Sequence, residues 1–138
     1  MDMMLEESIR ILAMQEEILQ FSHFTNEDAW ELGSFMVAEA ARNHLPVIIS
    51  IRLNNGCTVF QYGFPGTNCN NERWLVRKQN TVRMMEMSSL RFFMILKKNG
   101  ETLEERRLDP QDYAACGGGF PIRVAGAGVI GSVTVSGL

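Results

Sequence analysis

The start of the chain has the apolar spacing of an amphipathic helix. Apolar residues recur there at intervals of four, three and seven positions: Leu5, Ile9, Leu12 and Leu19. Glutamates between them are available for the opposite, solvent-facing side. Because residues at this spacing share one face of a helix, the pattern predicts a first helix over residues 3–21.

A second helix is predicted over residues 26–44. Thr25 precedes Asp28 by three positions, which is the spacing of a capping box with Asp in place of the usual Glu. Pro46 ends the segment, because proline is excluded from a helix interior. Small and apolar residues form one stripe that allows close approach to a sheet: Trp30, Gly33, Val37 and Ala40 or Ala41.

Two short apolar or alternating runs then indicate a β-hairpin. They cover residues 47–53 and 57–62, and Asn54, Asn55 and Gly56 separate them. Residues of these types tolerate the positive φ angles of a tight turn. The next segment, residues 64–72, is rich in Pro, Gly and Asn and is predicted to be a loop.

The centre of the chain is predicted to form a helix followed by a strand. Residues at helical spacing mark a helix that runs to about residue 87: Trp74, Arg77, Lys78 and Thr81. Ser88 and Ser89 are expected to break it. Residues 90–98, LRFFMILKK, are apolar at adjacent positions, which predicts a largely buried strand with a turn at residues 99–100.

The last quarter is predicted to contain a helical turn over residues 108–115, with Asp109 before Pro110 at its first position, and then two strands within residues 120–138. Gly126, Gly128 and Gly131 fall in a G-x-G-x-x-G frame. A dinucleotide fingerprint needs a helix after the glycines and an acidic residue about 20 positions later. Alternating β-branched residues follow instead, and we interpret the glycines as a turn between close-packed strands.

The order of elements is helix, helix, strand, strand, helix and three strands. Every connection within the sheet is a hairpin or one helix long, which is typical of an antiparallel arrangement. The sequence therefore predicts an α+β fold, a three-layer α/β/α sandwich with a mostly antiparallel sheet of about five strands. The length of 138 residues fits one domain over residues 1–138.

Composition narrows the functional classes. A formal net charge of −3 offers no strong field for nucleic acid or an acidic membrane. Three widely spaced cysteines, Cys57, Cys69 and Cys116, suit reduced thiols better than a disulfide framework or a zinc ribbon. The acidic N-terminus is unlike a signal peptide, and no apolar run reaches the length of a bilayer span. We therefore expect a soluble, cytoplasmic protein.

Candidate chemistry is sparse. His23 and His44 are the only histidines, each flanks a helix, and they are interpreted as surface or capping residues. The sequence has no histidine cluster and no C-x-x-C pair, so it does not predict a metal site. Positive charge at Arg73, Arg77 and Lys78 lies beside Trp74 on consecutive helical turns. Such a group either binds carboxylates or phosphates, or is a solvated helix face with Trp74 in the core.

Three further features of the sequence bear on function, and some of them allow more than one interpretation. Ser88 and Ser89 either cap a helix end or donate hydrogen bonds to an anion. The CGGGF segment, residues 116–120, lets the backbone pass close to another strand or a flat ligand. Cys116 is interpreted as a small buried residue rather than a soft metal ligand. Nine methionines suit irregular core or subunit contacts, which favours a homo-oligomer.

From about residue 10 to its end the chain resembles the GlcG/HbpS-like family of heme-binding or heme-degrading domain proteins, many of them uncharacterised. The residues that carry the resemblance are 64–67, with Phe64 in place of Leu, then Asn71, Trp74, Arg77, Lys78, Asn80, Ser88, Ser89, 108–114, Gly117, Gly118, 120–124 and 126 onward. It implies a profilin-like α/β/α fold around a five-stranded antiparallel sheet. It also implies dimer-based or ring-like homo-oligomers.

The chain departs from the family pattern at two places. Family members usually have His immediately before the Gly-Gly pair, where this chain has Cys116. They also continue past VSGL into an acidic, His-containing segment and a final helix, which this chain is expected to lack. In the family both histidines are candidate iron or heme ligands.

The leading hypothesis is an oligomeric protein that binds heme or a related planar anion and has no catalytic constellation. Arg77 and Lys78 would meet ligand carboxylates, Ser88 and Ser89 would donate hydrogen bonds, and the glycines would permit close approach. The predicted site is Trp74, Arg77, Lys78, Ser88, Ser89, Cys116, Gly117, Gly118 and Phe120. One alternative is an enzyme that acts on heme or a small carboxylate through Cys116; the other is a structural or regulatory assembly protein.

Overall fold

The computed structural model describes residues 3–138. It contains four α-helices, α1 (Met3–Ile18), α2 (Asn26–Arg42), α3 (Cys69–Met85) and α4 (Ser89–Asn99). Its four strands are β1 (Ile48–Leu53), β2 (Thr58–Gly63), β3 (Gly119–Val124) and β4 (Gly128–Ser136). The strands form one antiparallel sheet in the order β2-β1-β4-β3. The α+β class is confirmed, but the described residues form four strands where five were predicted.

The segment predicted as the fifth strand, residues 90–98, forms helix α4 instead, so that prediction was wrong. The Ser88 hydroxyl accepts a hydrogen bond from the Arg91 amide at 3.1 Å and caps the helix. Gly100, with a φ of 64°, ends it in the left-handed conformation. Phe92 and Leu96 share the buried side, as residues four apart on a helix do.

The other elements follow local signals in the sequence. The capping box of α2 is present: the Thr25 amide donates to the Asp28 carboxylate at 2.7 Å, and the Asp28 amide donates to the Thr25 hydroxyl at 3.1 Å. The β1–β2 hairpin is also present, and in its turn only Gly56 has a positive φ, of 96°. Helix α3 begins earlier than predicted because the Asn68 side chain caps it.

The two faces of the sheet differ in chemistry. On one face, Ile49 and Ile51 lie under α2 and its buried Ala29 and Ala40. A Cβ on Gly33 would lie 2.4 Å from the Phe60 ring, so the predicted close approach of this helix depends on that glycine. Together with α3 on the opposite face, this gives three layers.

The face under α3 carries a row of buried hydroxyls. The Ser50 hydroxyl accepts a hydrogen bond from the Gln79 side chain at 3.0 Å. The register pairs Ser50 with Thr134, so the alternate hydroxyl residues of β4 point to the same side: Ser132, Thr134 and Ser136. This polar layer forms the floor beneath the candidate site.

The glycine-rich segment connects β3 to β4. Gly126 lies in the turn with a φ of 82°, and Gly128 begins β4 with a φ of 88°; the strand then extends to Ser136. A Cβ on Gly131 would lie 2.6 Å from the Arg52 carbonyl oxygen, which explains that glycine by close packing of strands. The interpretation against a dinucleotide fingerprint is confirmed. No helix within residues 3–138 has the length and apolar character to cross a bilayer.

Candidate functional site

Helix α3 and the segment before β3 meet above the polar face of the sheet. The Asn80 side chain donates to the Asp112 carbonyl at 2.8 Å. The Thr81 hydroxyl donates to the Ala114 carbonyl at 2.9 Å and accepts from the Ala114 amide at 3.1 Å. These bonds fix residues 109–116 against α3. Within that segment the predicted helical turn is a hydrogen-bonded turn, in which the Tyr113 amide donates to the Asp109 carbonyl at 3.0 Å.

An open cleft of about 510 Å³ lies where these elements join, and we call it the Lys78 cleft. Its lining comes from the start of α3, the segment before β3 and the end of the chain: Asn70, Asn71, Trp74, Lys78, Cys116, Gly117, Ser136, Gly137 and Leu138. Trp74 and Lys78 are one helical turn apart on α3. Four of the residues predicted from sequence, Trp74, Lys78, Cys116 and Gly117, therefore share one cavity.

Lys78 is the unusual group in this cleft. The residue is only 9% exposed. Its ammonium donates to the Val135 carbonyl at 3.0 Å, and no ion pair within the described chain includes it. Burial lowers the pKa of this amine, and the nearby charge of Cys116 opposes that shift. A buried ammonium that forms no ion pair with a carboxylate is costly.

The glycines beside Lys78 make room for it. Gly118 has a φ of 123°, and a Cβ there would lie 2.7 Å from the Lys78 ammonium and 2.6 Å from the Val135 carbonyl oxygen. Its own carbonyl accepts from the Val135 amide at 2.8 Å. Gly118 therefore holds the chain next to β4 while the lysine passes beside it.

Arg77 faces a neighbouring cleft. Its guanidinium stacks on the Trp74 ring, 4.1 Å from the ring centroid. The neighbouring cleft, of about 270 Å³, is lined by Arg73, Arg77, Asn80 and Asp112 among others. The Arg77 Nε is buried and has no hydrogen-bond partner. Trp74, which is 38% exposed, thus stacks with Arg77 and also lines the Lys78 cleft.

The remaining predicted residues lie outside the Lys78 cleft. Ser88 caps α4, which is one of the two roles predicted for it from sequence. The Ser89 hydroxyl accepts a hydrogen bond from the Gly119 amide at 2.9 Å. Both serines are buried, and neither lines the cleft. Phe120 pairs with Val133 in the sheet. Since Gly119 faces α3, the alternation of the strand directs Phe120 to the other face.

The histidines and the other cysteines are on the surface. His23 contacts Asp28 at 2.9 Å beside the start of α2, and His44 follows the end of that helix. Cys57 and Cys69 are exposed, whereas Cys116 is half-buried. No group of three or more His, Cys, Asp and Glu side chains within residues 3–138 is placed to hold a metal ion.

Sequence reasoning missed part of the cleft. Asn70 and Asn71 were placed in a loop, and Ser136 was treated as part of a strand without a role. The signal for Ser136 was present in β4, where hydroxyl and β-branched residues alternate from Ser132 to Ser136. Such alternation in a strand under a helix indicates a buried polar face.

Comparison with known proteins identifies the family. A model of the family described as "Haem degrading protein HbpS-like" matches residues 24–138. The UPF0303 protein YE1367 of Yersinia enterocolitica is 41% identical over 136 residues, which cover 98% of this chain and 80% of that protein. The UPF0303 protein SCO2848 of Streptomyces coelicolor is 44% identical over 128 residues, covering 92% of this chain and 80% of that protein.

Solved structures agree with the fold. The Ybr137w protein superimposes with a TM-score of 0.86 at 29% identity, covering all of this chain and 86% of that one. PduOC, solved as a heme complex, has a TM-score of 0.70 at 20% identity over 83% of each chain, a likeness that concerns the fold alone. The resemblance seen in the sequence is confirmed: this chain belongs to the HbpS-like family of heme-degrading proteins.

Proposed function

We propose that this protein binds heme or a related planar anion in the Lys78 cleft and has no catalytic step of its own. The observation that carries the proposal is the buried Lys78 ammonium, whose one hydrogen bond within the described chain is to a neutral carbonyl. A ligand carboxylate beside it would supply the missing negative charge. Family membership supports heme as the ligand class, and PduOC, which shares the fold, was solved with heme.

The other walls of the cleft suit a flat ligand. The Trp74 ring offers a planar surface, and the guanidinium of Arg77 stacked on it adds positive charge nearby. Gly117 has no side chain to obstruct a ring that approaches the backbone, and the Cys116 thiol offers a soft sulfur atom. The volume of about 510 Å³ lies in the usual range for small-molecule sites.

Hemin titration tests the proposal. We expect a saturable shift of the Soret band and quenching of Trp74 fluorescence, measured in a Trp30→Phe background because the chain has two tryptophans. Lys78→Met is expected to weaken binding by about tenfold or more, since a hydrogen bond to a charged group is worth about 1.5–3 kcal/mol. Thermal unfolding of each variant checks that it is folded.

Lys97→Met is the matched control. It removes an exposed lysine of α4 and is expected to leave the affinity unchanged. A non-saturable response to hemin, or an affinity that the folded Lys78→Met variant retains, contradicts the proposal. A loss of affinity that Lys97→Met reproduces also contradicts it, because the effect would then reflect overall charge.

An enzyme that uses Cys116 is the second candidate function. The observation that favours it is the proximity of the half-buried thiol to Lys78, whose charge interacts with it. A cation beside a thiol favours the reactive thiolate. In a Cys57→Ser/Cys69→Ser background, this candidate predicts that iodoacetamide alkylates Cys116 at neutral pH faster than it alkylates free cysteine, and that Lys78→Met slows the reaction. A rate no faster than that of free cysteine contradicts this candidate.

A further inference from the structure

Helix α1 is apolar on two opposite sides. One side packs against α4 and carries Glu16, which is 2% exposed and pairs with Arg91. At about 100° of rotation per residue, Ile11, Met14 and Ile18 lie on the opposite side of the helix. A helix that packs on one neighbour needs only one apolar stripe, so the second stripe requires its own explanation.

The outer stripe is well exposed. Ile11, Met14 and Ile18 are 48%, 57% and 72% exposed. They are three and four positions apart, which is the a and d spacing of a helix that packs along a second helix. Contiguous apolar surface of this kind on a folded domain marks an interaction site.

The charges beside the stripe indicate which helix fits. Arg10 and Glu17 lie along one edge of the stripe, both exposed, and neither forms an ion pair within the described chain. In an antiparallel pair of identical helices, with Ile11 against Met14 of the second copy, Arg10 of each copy faces Glu17 of the other. The two-fold axis makes this contact twice.

A parallel pair of α1 helices does not bring Arg10 of one copy to Glu17 of the other. Residues at the two edges of the stripe then face each other, which places Arg10 beside Gln15 of the second copy. The antiparallel pair also sets the two helix dipoles in opposition. Charge complementarity therefore selects one occupant and one orientation.

We infer that the outer face of α1 is a homodimer interface, formed by an antiparallel pairing of α1 with α1 of a second copy. It gives a specific surface to the homo-oligomer predicted from sequence. The inference does not depend on the Lys78 cleft, whose lining residues all lie outside α1.

Sedimentation velocity of the full chain over a concentration series tests the inference. Wild type is expected to dimerise reversibly. Arg10→Glu and Glu17→Arg alone are each expected to weaken the dimer by about fivefold or more, because each places like charges together twice. The double variant Arg10→Glu/Glu17→Arg restores the opposite charges and is expected to return to the wild-type dissociation constant. Ile11→Glu is expected to give a monomer.

Phe35→Glu is the matched control. Phe35 is an apolar residue of α2 that is 63% exposed, and its replacement is expected to leave the dimer intact. A wild-type chain that stays monomeric throughout the series overturns the inference. So does an oligomer that Ile11→Glu leaves intact, or a double variant that stays as weak as the single ones. Circular dichroism shows whether each variant is folded.

Discussion

Replacement of Phe92 by alanine is expected to lower the free energy of unfolding by about 3–5 kcal/mol. Phe92 is fully buried on the inner side of α4, and the Arg106 guanidinium lies 5.7 Å from its ring centroid. Truncation removes apolar contact and leaves a cavity that a close-packed interior fills only in part. Urea denaturation followed by circular dichroism at 222 nm measures the loss, with the slope checked for two-state behaviour.

The adjacent phenylalanine is the matched control. Phe93 has the same side chain and the same helix, but it is 38% exposed. Phe93→Ala is expected to cost about 1 kcal/mol or less, as for a partly exposed position away from the core. Equal losses of unfolding free energy in Phe92→Ala and Phe93→Ala would contradict the helix. Two adjacent side chains contribute equally to stability only in an element that is buried on both sides.

This pair of residues also explains why the segment was predicted to be a strand. LRFFMILKK is apolar at adjacent positions, and a short apolar run has no periodicity that separates a buried strand from a buried helix. The deciding signals lay at its ends. Ser88 was interpreted as a break before the segment and as a possible helix cap, and it is the N-cap of α4. Gly100 was interpreted as part of the turn after a strand, and it ends the helix.

The elements predicted correctly are those whose signals are local. The capping box at Thr25, the hairpin turn at Gly56 and the glycine turn before β4 each specify backbone geometry within a few residues. Helix α3 was recognised, but its start was placed too late, because Asn68 lies in a stretch whose composition is also typical of a loop. The number of strands depended on α4 and failed with it.

The candidate site was only partly accessible to the same reasoning. Trp74 and Lys78 are one turn apart, so a helix alone brings them together. Their meeting with Cys116 and Gly117 depends on hydrogen bonds from Asn80 and Thr81 to a distant segment, which no local pattern encodes. The binding role of these residues remains a prediction, with hemin titration as its test.

Replacement of Arg91 by methionine is expected to destabilise the fold by about 3–5 kcal/mol. The Arg91 guanidinium donates to the Glu16 carboxylate at 3.2 Å, and the Glu16 side chain is only 2% exposed. Without Arg91 that carboxylate stays buried and loses its ion-pair partner. Urea denaturation at neutral pH measures the effect, and Lys98→Met serves as the control, because the Lys98 contact to Glu6, at 3.8 Å, is exposed and worth little.

The two partners differ in burial, so the double-mutant cycle is expected to be asymmetric. Glu16→Met leaves the Arg91 side chain, which is 25% exposed and can reach water. Glu16→Met should therefore lower the free energy of unfolding by less than Arg91→Met does. The free energy of unfolding of the double variant should equal or exceed that of wild type. One oxygen of Glu16 and the Nε of Arg91 are buried without hydrogen-bond partners, and two methionine side chains can fill the same space with apolar contacts. Additive losses would contradict this, and would mean that each side chain stabilises the α1–α4 contact by packing and that the pairing of their charges contributes little.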